Sequence, residues 1–310
     1  MRPRRAYTAM LGLTLLLVGT TACGTGSASD SDTLVFAAIP SEQDSDPRQS
    51  YATVIERLEA NTGREVEFKQ TTNYNGVIEG MKSGTIDVAV FGPFSYVLAR
   101  TVGAEITPVA VSVEDTKEPI YHSYGIARGD DAGVTSLKDF KGKKVCFVDP
   151  ASTSGYLFPS AGLKQNKLDP DKDVQKVMAG GHDLSVLSVK SGKCDVGFAA
   201  DTMVDTTMPD AGKLKKGDIK VVWKSTGIPS SPVAMSDALP EDVRKGITTS
   251  FTKQLNKDWL VKNGKCDDAK SCLVAGESAT WGYLPITDKA YDPIRKVCNV
   301  TQDEQCKGEA

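Results

Sequence analysis

Lys144 to Ser160, KVCFVDPASTSGYLFPS, sets the reading of the whole chain. An apolar strand-like run, Lys144 to Val148, meets Asp149-Pro150 and then a cluster of hydroxyls, Ser152, Thr153 and Ser154, with Gly155 just before an apolar helix. The first turn of a helix leaves backbone N–H groups unpaired and carries a partial positive charge, so an anion is favoured there. Hydroxyls add donors, and glycine keeps a side chain from standing between anion and backbone. A single Ser or Thr would be an ordinary helix cap, but three in a row exceed what capping needs. The stretch is no Walker motif, because GxxxxGK[ST] is absent.

Outward from this segment, short apolar runs alternate with amphipathic stretches, the pattern of parallel strands joined by helices in an α/β chain. On the N-terminal side, Thr33 to Ala38 and Glu65 to Phe68 read as strands. Pro47 to Asn61 reads as a helix stopped by Gly63, Asn75 to Ser83 and Pro93 to Arg100 as further helices, and Ile86 to Phe91 as a buried strand. Around and beyond the quoted stretch come strands at Tyr121 to Arg128, Val174 to Met178 and Cys194 to Phe198, with helices at Ser154 to Lys164 and Asp183 to Ser191. Glu241 to Asp258, with Val243, Ile247, Phe251 and Leu255 spaced by four, is expected as one more amphipathic helix. No short internal period points to a solenoid or propeller.

With 310 residues, the chain is long enough for two lobes with separate cores. It should cross between them twice: once near Tyr121, and again near Val221 to Ser225 and the proline-stiffened Ile228-Pro229-Ser230-Ser231-Pro232. The expected division is residues 33–122 and 223–310 in the first lobe and 123–222 in the second, with a hinge between.

The first 23 residues read as an export leader: basic Met1 to Arg5, an apolar stretch from Ala9 to Val18 too short to span a bilayer, and small residues up to Cys23. Thr21-Ala22-Cys23 before Gly24 resembles a bacterial lipobox, which would make Cys23 the acylated N-terminus. Gly24 to Asp32 would be the flexible tether. Losing Arg2, Arg4 and Arg5 moves the balance from 37 basic and 40 acidic groups to 34 and 40, a net charge of −6. A nucleic-acid partner is not implied, and an anionic ligand would have to be recognised locally rather than by long-range steering.

Six further cysteines agree with export: Cys146, Cys194, Cys266, Cys272, Cys298 and Cys306. Short loops favour Cys266 with Cys272 and Cys298 with Cys306, leaving Cys146 and Cys194 as a long-range pair. A zinc site is the competing reading, but there is no CxxC pair, and His122 and His182 are far from the C-terminal cysteines in sequence.

Asp149-Pro150-Ala151-Ser152-Thr153-Ser154-Gly155-Tyr156 resembles the signature of the phosphate/phosphite/phosphonate-binding proteins of ABC importers. Asn73 to Met81, Phe91-Gly92-Pro93-Phe94-Ser95-Tyr96, Gly180-Gly181-His182-Asp183 and Val222 to Pro232 match that family in order. The resemblance implies a two-lobed periplasmic binding protein type II-like fold with the ligand cleft between the lobes. It also implies a small phosphorus oxyanion as ligand, importer permease and ATPase as partners, a monomer touching the membrane only through its lipid, and neither cofactor nor metal.

Carried over by that resemblance, the ligand contacts fall on Tyr74 and Tyr121 from the first lobe and on Ser152, Thr153, Ser154, Gly155 and His182 from the second. Ser95, Tyr96, Asp201 and Ser231 are further candidates. Phenol and hydroxyl groups donate, and a histidine can donate either neutral or protonated. Family members that bind an aminoalkyl phosphonate place acids near the amino group, whereas this chain has Ser231 in the crossover and Asp201 one residue out of register beside Thr202. That departure favours phosphite, phosphate or a simple alkylphosphonate unless Asp201 reaches the ligand. Two other readings compete: a binder or sensor of sulfonate, sulfate or another small solute on the same fold, and a serine-type esterase using Ser154 and His182. The esterase lacks a GxSxG elbow and a third partner.

Overall fold

The computed structural model describes residues 32–40, 46–115, 118–275 and 280–307. The leader, Cys23 and the tether lie outside the described residues. The described residues form one compact unit, built on two sheets.

The strands, in chain order, are β1 (Thr33–Ala38), β2 (Glu65–Phe68), β3 (Val88–Val90), β4 (Ile106–Glu114), β5 (Ile120–Tyr121), β6 (Ser123–Arg128), β7 (Lys144–Phe147), β8 (Gln175–Met178), β9 (Val196–Ala200), β10 (Ile219–Lys224), β11 (Ile228–Pro229), β12 (Pro232–Ser236) and β13 (Thr280–Pro285). The first lobe is a six-stranded sheet in the order β13-β4-β12-β3-β1-β2, and the second a five-stranded sheet in the order β10-β6-β9-β7-β8. β1, β2 and β3 run parallel, as do β7, β8 and β9, while β12 and β6 return antiparallel.

Each lobe builds its core from the patterns seen in the sequence. Behind the first sheet, Leu34 and Phe36 of β1 pack with Val54 and Leu58 of the helix Ala52–Thr62 and with Ile247, Phe251 and Leu255. Behind the second, Ile126 and Ala199 meet Val186, Val189, Met203 and Met208. A third cluster joins the lobes through Phe91, Phe94, Tyr96, Phe147, Tyr156, Phe198 and Tyr291, all buried.

The two crossings lie side by side, with Ile228 opposite Tyr121 and Pro229 opposite Ile120 in a two-stranded ribbon, β11 on β5. Trp223 and Lys224 stay in β10 of the second sheet, and Trp223 meets Phe198 edge to face at 6.0 Å. The return crossing therefore starts at Ser225, not before Trp223. The tail spans both lobes: Tyr156 donates to Asp303 (2.9 Å) and Lys164 to the carbonyl of Thr301, while Tyr291 donates to the carbonyl of Ser230 (3.2 Å).

The expected helix Glu241 to Asp258 is instead a helix Glu241–Thr249, a wide π-turn Ser250–Gln254, and a separate helix Lys257–Lys262 capped by Asn256. Apolar residues four apart drift around a 3.6-residue helix, and a widened turn keeps Phe251 on the buried face with Val243 and Ile247. From that turn, Ser250 Oγ shares its one hydrogen between the carbonyls of Gly246 (3.0 Å) and Arg57 (2.9 Å). The helix expected from Ser154 likewise opens with a π-turn, Thr153–Leu157, before the α-helix Phe158–Gln165.

Three cysteine pairs face one another as the loop lengths suggest: Cys146 with Cys194 (S–S 2.05 Å), Cys266 with Cys272 (2.06 Å) and Cys298 with Cys306 (2.03 Å). Among the described residues, no helix is long and apolar enough to cross a membrane.

Candidate ligand-binding cleft

Parallel strands place their C-terminal ends at one edge of a sheet, and the loops that follow carry the helix N-termini toward the crevice outside that edge. Here both sheets point that edge at the same space, a cavity of about 600 Å³. From the first lobe it is lined by Thr71, Thr72 and Tyr74 after β2 and by Gly92 after β3; from the second it is lined by Ser152 to Ser154 after β7, His182 after β8 and Thr202 after β9. Four helices begin at its wall, at Tyr74, Pro93, Thr153 and His182. Among the described residues no lysine or arginine lines it, and Glu114 and Glu118 do. Among the described residues, positive potential there comes from helix ends and not from charged side chains.

The hydroxyl cluster is held by its own helix start. Ser152 caps it, Oγ accepting from the N–H of Gly155 at 3.1 Å, which leaves the hydroxyl hydrogen to donate elsewhere. Thr153 Oγ1 accepts from the N–H of Phe94 at 2.8 Å, across the cleft, and also keeps its hydrogen. The carbonyl of Ser154 accepts from Ser123 Oγ at 2.6 Å, so the turn is pinned from β6. The three residues are all buried, at 1–2% exposure, while lining the cavity.

His182 is oriented by its neighbour strand. Its Nδ1 accepts from the N–H of Ala200 at 3.0 Å, so the ring carries its proton on Nε2. Burial pushes its pKa down from 6.5 to about 4. The ring is therefore a neutral donor, and the expectation of a histidine that donates in either charge state gives way to a single tautomer. Desolvation and the committed Nδ1 are the reasons.

Tyr74, Tyr121 and Ser231 also stand on the wall, Tyr74 with a backbone bond to Asp149 and Tyr121 on the hinge strand β5. Four expected residues do not line it. The missing side chain of Gly155 points at Val148, just past strand β7, since a Cβ there would come within 2.3 Å of Val148 Cβ. Gly155 thus lets the turn pack on Val148 and donates its N–H inward to Ser152. Ser95 Oγ is fully buried as the cap of the helix Pro93–Thr101, accepting from and donating to Gly92 at 3.0 Å. Tyr96 donates to Asp288 at 2.8 Å and packs on Tyr291. Asp201 turns away, one oxygen 3.0 Å from His122 Nδ1 and the other accepting from the N–H of Thr202 at 3.0 Å.

Sequence reasoning passed over Thr71 and Thr72. They precede Asn73, whose side chain caps the helix Tyr74–Lys82, and so repeat in the first lobe the pattern of hydroxyls before a helix start that singled out Ser152 to Ser154. Thr71 Oγ1 is buried without a hydrogen-bond partner. Ser112, Ser230 and Met203 were missed too, because only strand pairing and hinge geometry bring them to the wall.

The model of the ABC transporter, phosphonate, periplasmic substrate-binding protein family matches residues 36–281. The phosphate-import protein PhnD of Mycolicibacterium smegmatis is 47% identical over 285 residues, covering 89% of this chain and 88% of the relative. Among solved structures, a binding protein component of an ABC phosphonate transporter from Pseudomonas aeruginosa superposes with TM-score 0.74 at 23% identity, over 88% of this chain and 87% of that one. PhnD1 of Prochlorococcus marinus in complex with methylphosphonate gives TM-score 0.74 at 18% identity, over 87% and 98% of the two chains. The fold is the two-lobed, type II-like periplasmic binding protein architecture, and the chain belongs to the periplasmic substrate-binding proteins of ABC phosphonate transporters.

Proposed function

We propose that the chain captures a small phosphorus oxyanion between its lobes and presents it to the permease and ATPase of an ABC importer. The observation that carries this reading is the convergence of Ser152, Thr153, Ser154 and the Nε2–H of His182, all buried, on a cavity where four helices begin and, among the described residues, no cationic side chain stands. Fixed neutral donors hold a tetrahedral oxyanion without trapping it by net charge, as a protein that must release its ligand requires. Tyr74 and Tyr121, beside the hinge ribbon, supply contacts from the first lobe.

With Nδ1 of His182 committed to the Ala200 N–H and its pKa near 4, the ring cannot take a proton from Ser154 near neutral pH, which argues against the esterase reading. We further read Cys23 as the lipid-bearing N-terminus, holding the protein outside the cell membrane as a monomer. Replacement Cys23→Ser should release it into the medium.

The test is calorimetric titration with phosphate, phosphite, methylphosphonate and sulfate. One of the phosphorus anions should bind and sulfate should not. Ser154→Ala with His182→Ala should weaken binding by about 2–6 kcal/mol, from about 1–3 kcal/mol for each lost donor. Unchanged affinity in the double variant would show the site to be elsewhere, and binding of sulfate alone would move the protein to the sulfur-anion reading.

A further inference from the structure

We infer that the ligand is a phosphorus oxyanion bearing a neutral, apolar organic group about the size of a ring, seated in a chamber beside the oxyanion cradle; this rests on the oxyanion reading above. A bare tetrahedral anion fills the space of about two or three waters, at ~30 Å³ each. The cavity is about 600 Å³, a size typical of sites that enclose an organic molecule.

The chamber has its own walls. Tyr51 and Phe68 lie stacked at 5.7 Å with an interplanar angle of 17°, and buried Phe36 backs both edge-on at 5.4 and 5.6 Å. Pro47, Val113 and Tyr283 complete it. All of these belong to the first lobe, so a hinge movement carries the chamber as a unit and does not dismantle it. Across from it the second lobe presents Met203, buried at 1% exposure on the same cavity, a thioether that packs well on aromatic edges. The lobes already touch beside the cradle, through Phe94 N–H to Thr153 at 2.8 Å.

Charge narrows the substituent. Glu114 and Glu118 on the wall repel a second anionic group, and no cation among the described residues would receive one. Nucleotide-like and pyrophosphate-like ligands are disfavoured; the two carboxylates could pair an ammonium, so it is the stacked Tyr51 and Phe68 that favour an apolar group, and the aminoethylphosphonate arm of the titration separates the two.

Titrating the full-length protein with phosphate, methylphosphonate, 2-aminoethylphosphonate and phenylphosphonate decides the matter. Phenylphosphonate should bind about tenfold or more tightly than the other three, as expected for burying one ring face, with a more negative heat-capacity change than methylphosphonate. Phe68→Ser should shrink the phenyl-to-methyl ratio toward one. Should that variant fail to fold, the ligand series and heat capacities of the unaltered protein still decide. Phosphate, methylphosphonate or aminoethylphosphonate binding as tightly as phenylphosphonate would overturn the inference while leaving the oxyanion reading intact. If only phosphite binds, this inference fails and the oxyanion reading stands; if neither phosphite nor any of the four binds, both fail.

Discussion

Burial disfavours the charged ring of His182 and pushes its pKa down to about 4; protonating Nδ1 would also break the contact that it accepts from the Ala200 N–H. Two predictions follow for His182, one for stability and one for binding. Between pH 4 and 6.5 the unfolded chain holds more protons than the folded one, so stability is full above pH 6.5 and falls as pH drops through that window, by on the order of 3 kcal/mol. Denaturant midpoints at pH 4.5 and 7 should show this difference, and His182→Gln, which keeps an acceptor for Ala200 but does not titrate, should lose most of it. In binding, a step in affinity between pH 6 and 8 should belong to the second ionisation of the phosphorus anion and persist in His182→Gln; a step in calorimetry that is lost in that variant would mean that a charged ring contacts the anion. Thr153 is held otherwise, by a partner on the far lobe. Thr153→Val removes both its donor hydrogen and the acceptor for Phe94 N–H, and should weaken binding by about 1–3 kcal/mol.

Among the elements, the π-turn Thr153–Leu157 owes its position to the absence of a side chain at Gly155. A methyl group there would stand 2.3 Å from Val148 Cβ and 2.9 Å from Ser152 Oγ, so the turn would have to lift off Val148. Gly155→Ala is expected to cost about 1–3 kcal/mol of stability, as overpacking does, and to weaken the ligand by displacing the three hydroxyls together. Equal stability and affinity in that variant would mean that the turn is more pliant than its contacts imply. The other widened turn, Ser250–Gln254, serves packing: it keeps Phe251 against Tyr283 at 5.0 Å, and Phe251→Ala should cost about 3–5 kcal/mol in chemical denaturation.

For the whole molecule, the hinge ribbon of β5 and β11 and the tail that touches both lobes decide how the cleft is held. Ligand bound between the lobes stabilises only the folded chain. At a thousand times Kd it should add about 4 kcal/mol and raise Tm by roughly 10 °C, and an oxyanion that leaves Tm unchanged at saturating concentration is not the ligand. Within the second lobe, the Cys146 to Cys194 pair closes a 48-residue loop, so the double serine variant should lose about 4 kcal/mol on the loop-entropy estimate. The mass of the unreduced protein should be lower than that of the reduced form by six hydrogens, two for each pair.

Features that depend on neighbours a few residues away were readable from the chain itself: the alternation of strands and helices, the hydroxyl cluster at a helix start, the cysteine pairs closed by short loops, and the motifs shared with the family. Thr71 was readable in the same way, as a hydroxyl before a capped helix, and was overlooked. Tertiary structure decided what depends on distant partners. Which nitrogen of His182 carries the proton depends on Ala200, 18 residues away, and the second role of Thr153 on Phe94, 59 residues away. That Asp201 turns to His122, that Gly155 faces Val148 and that β10 keeps Trp223 in the second lobe follow from sheet pairing. The aromatic chamber is of the same kind, since Tyr51, Phe68, Val113 and Tyr283 come from four separate elements. Hydrophobic periodicity says that each turns toward the core, while only the packed sheet says which space they enclose.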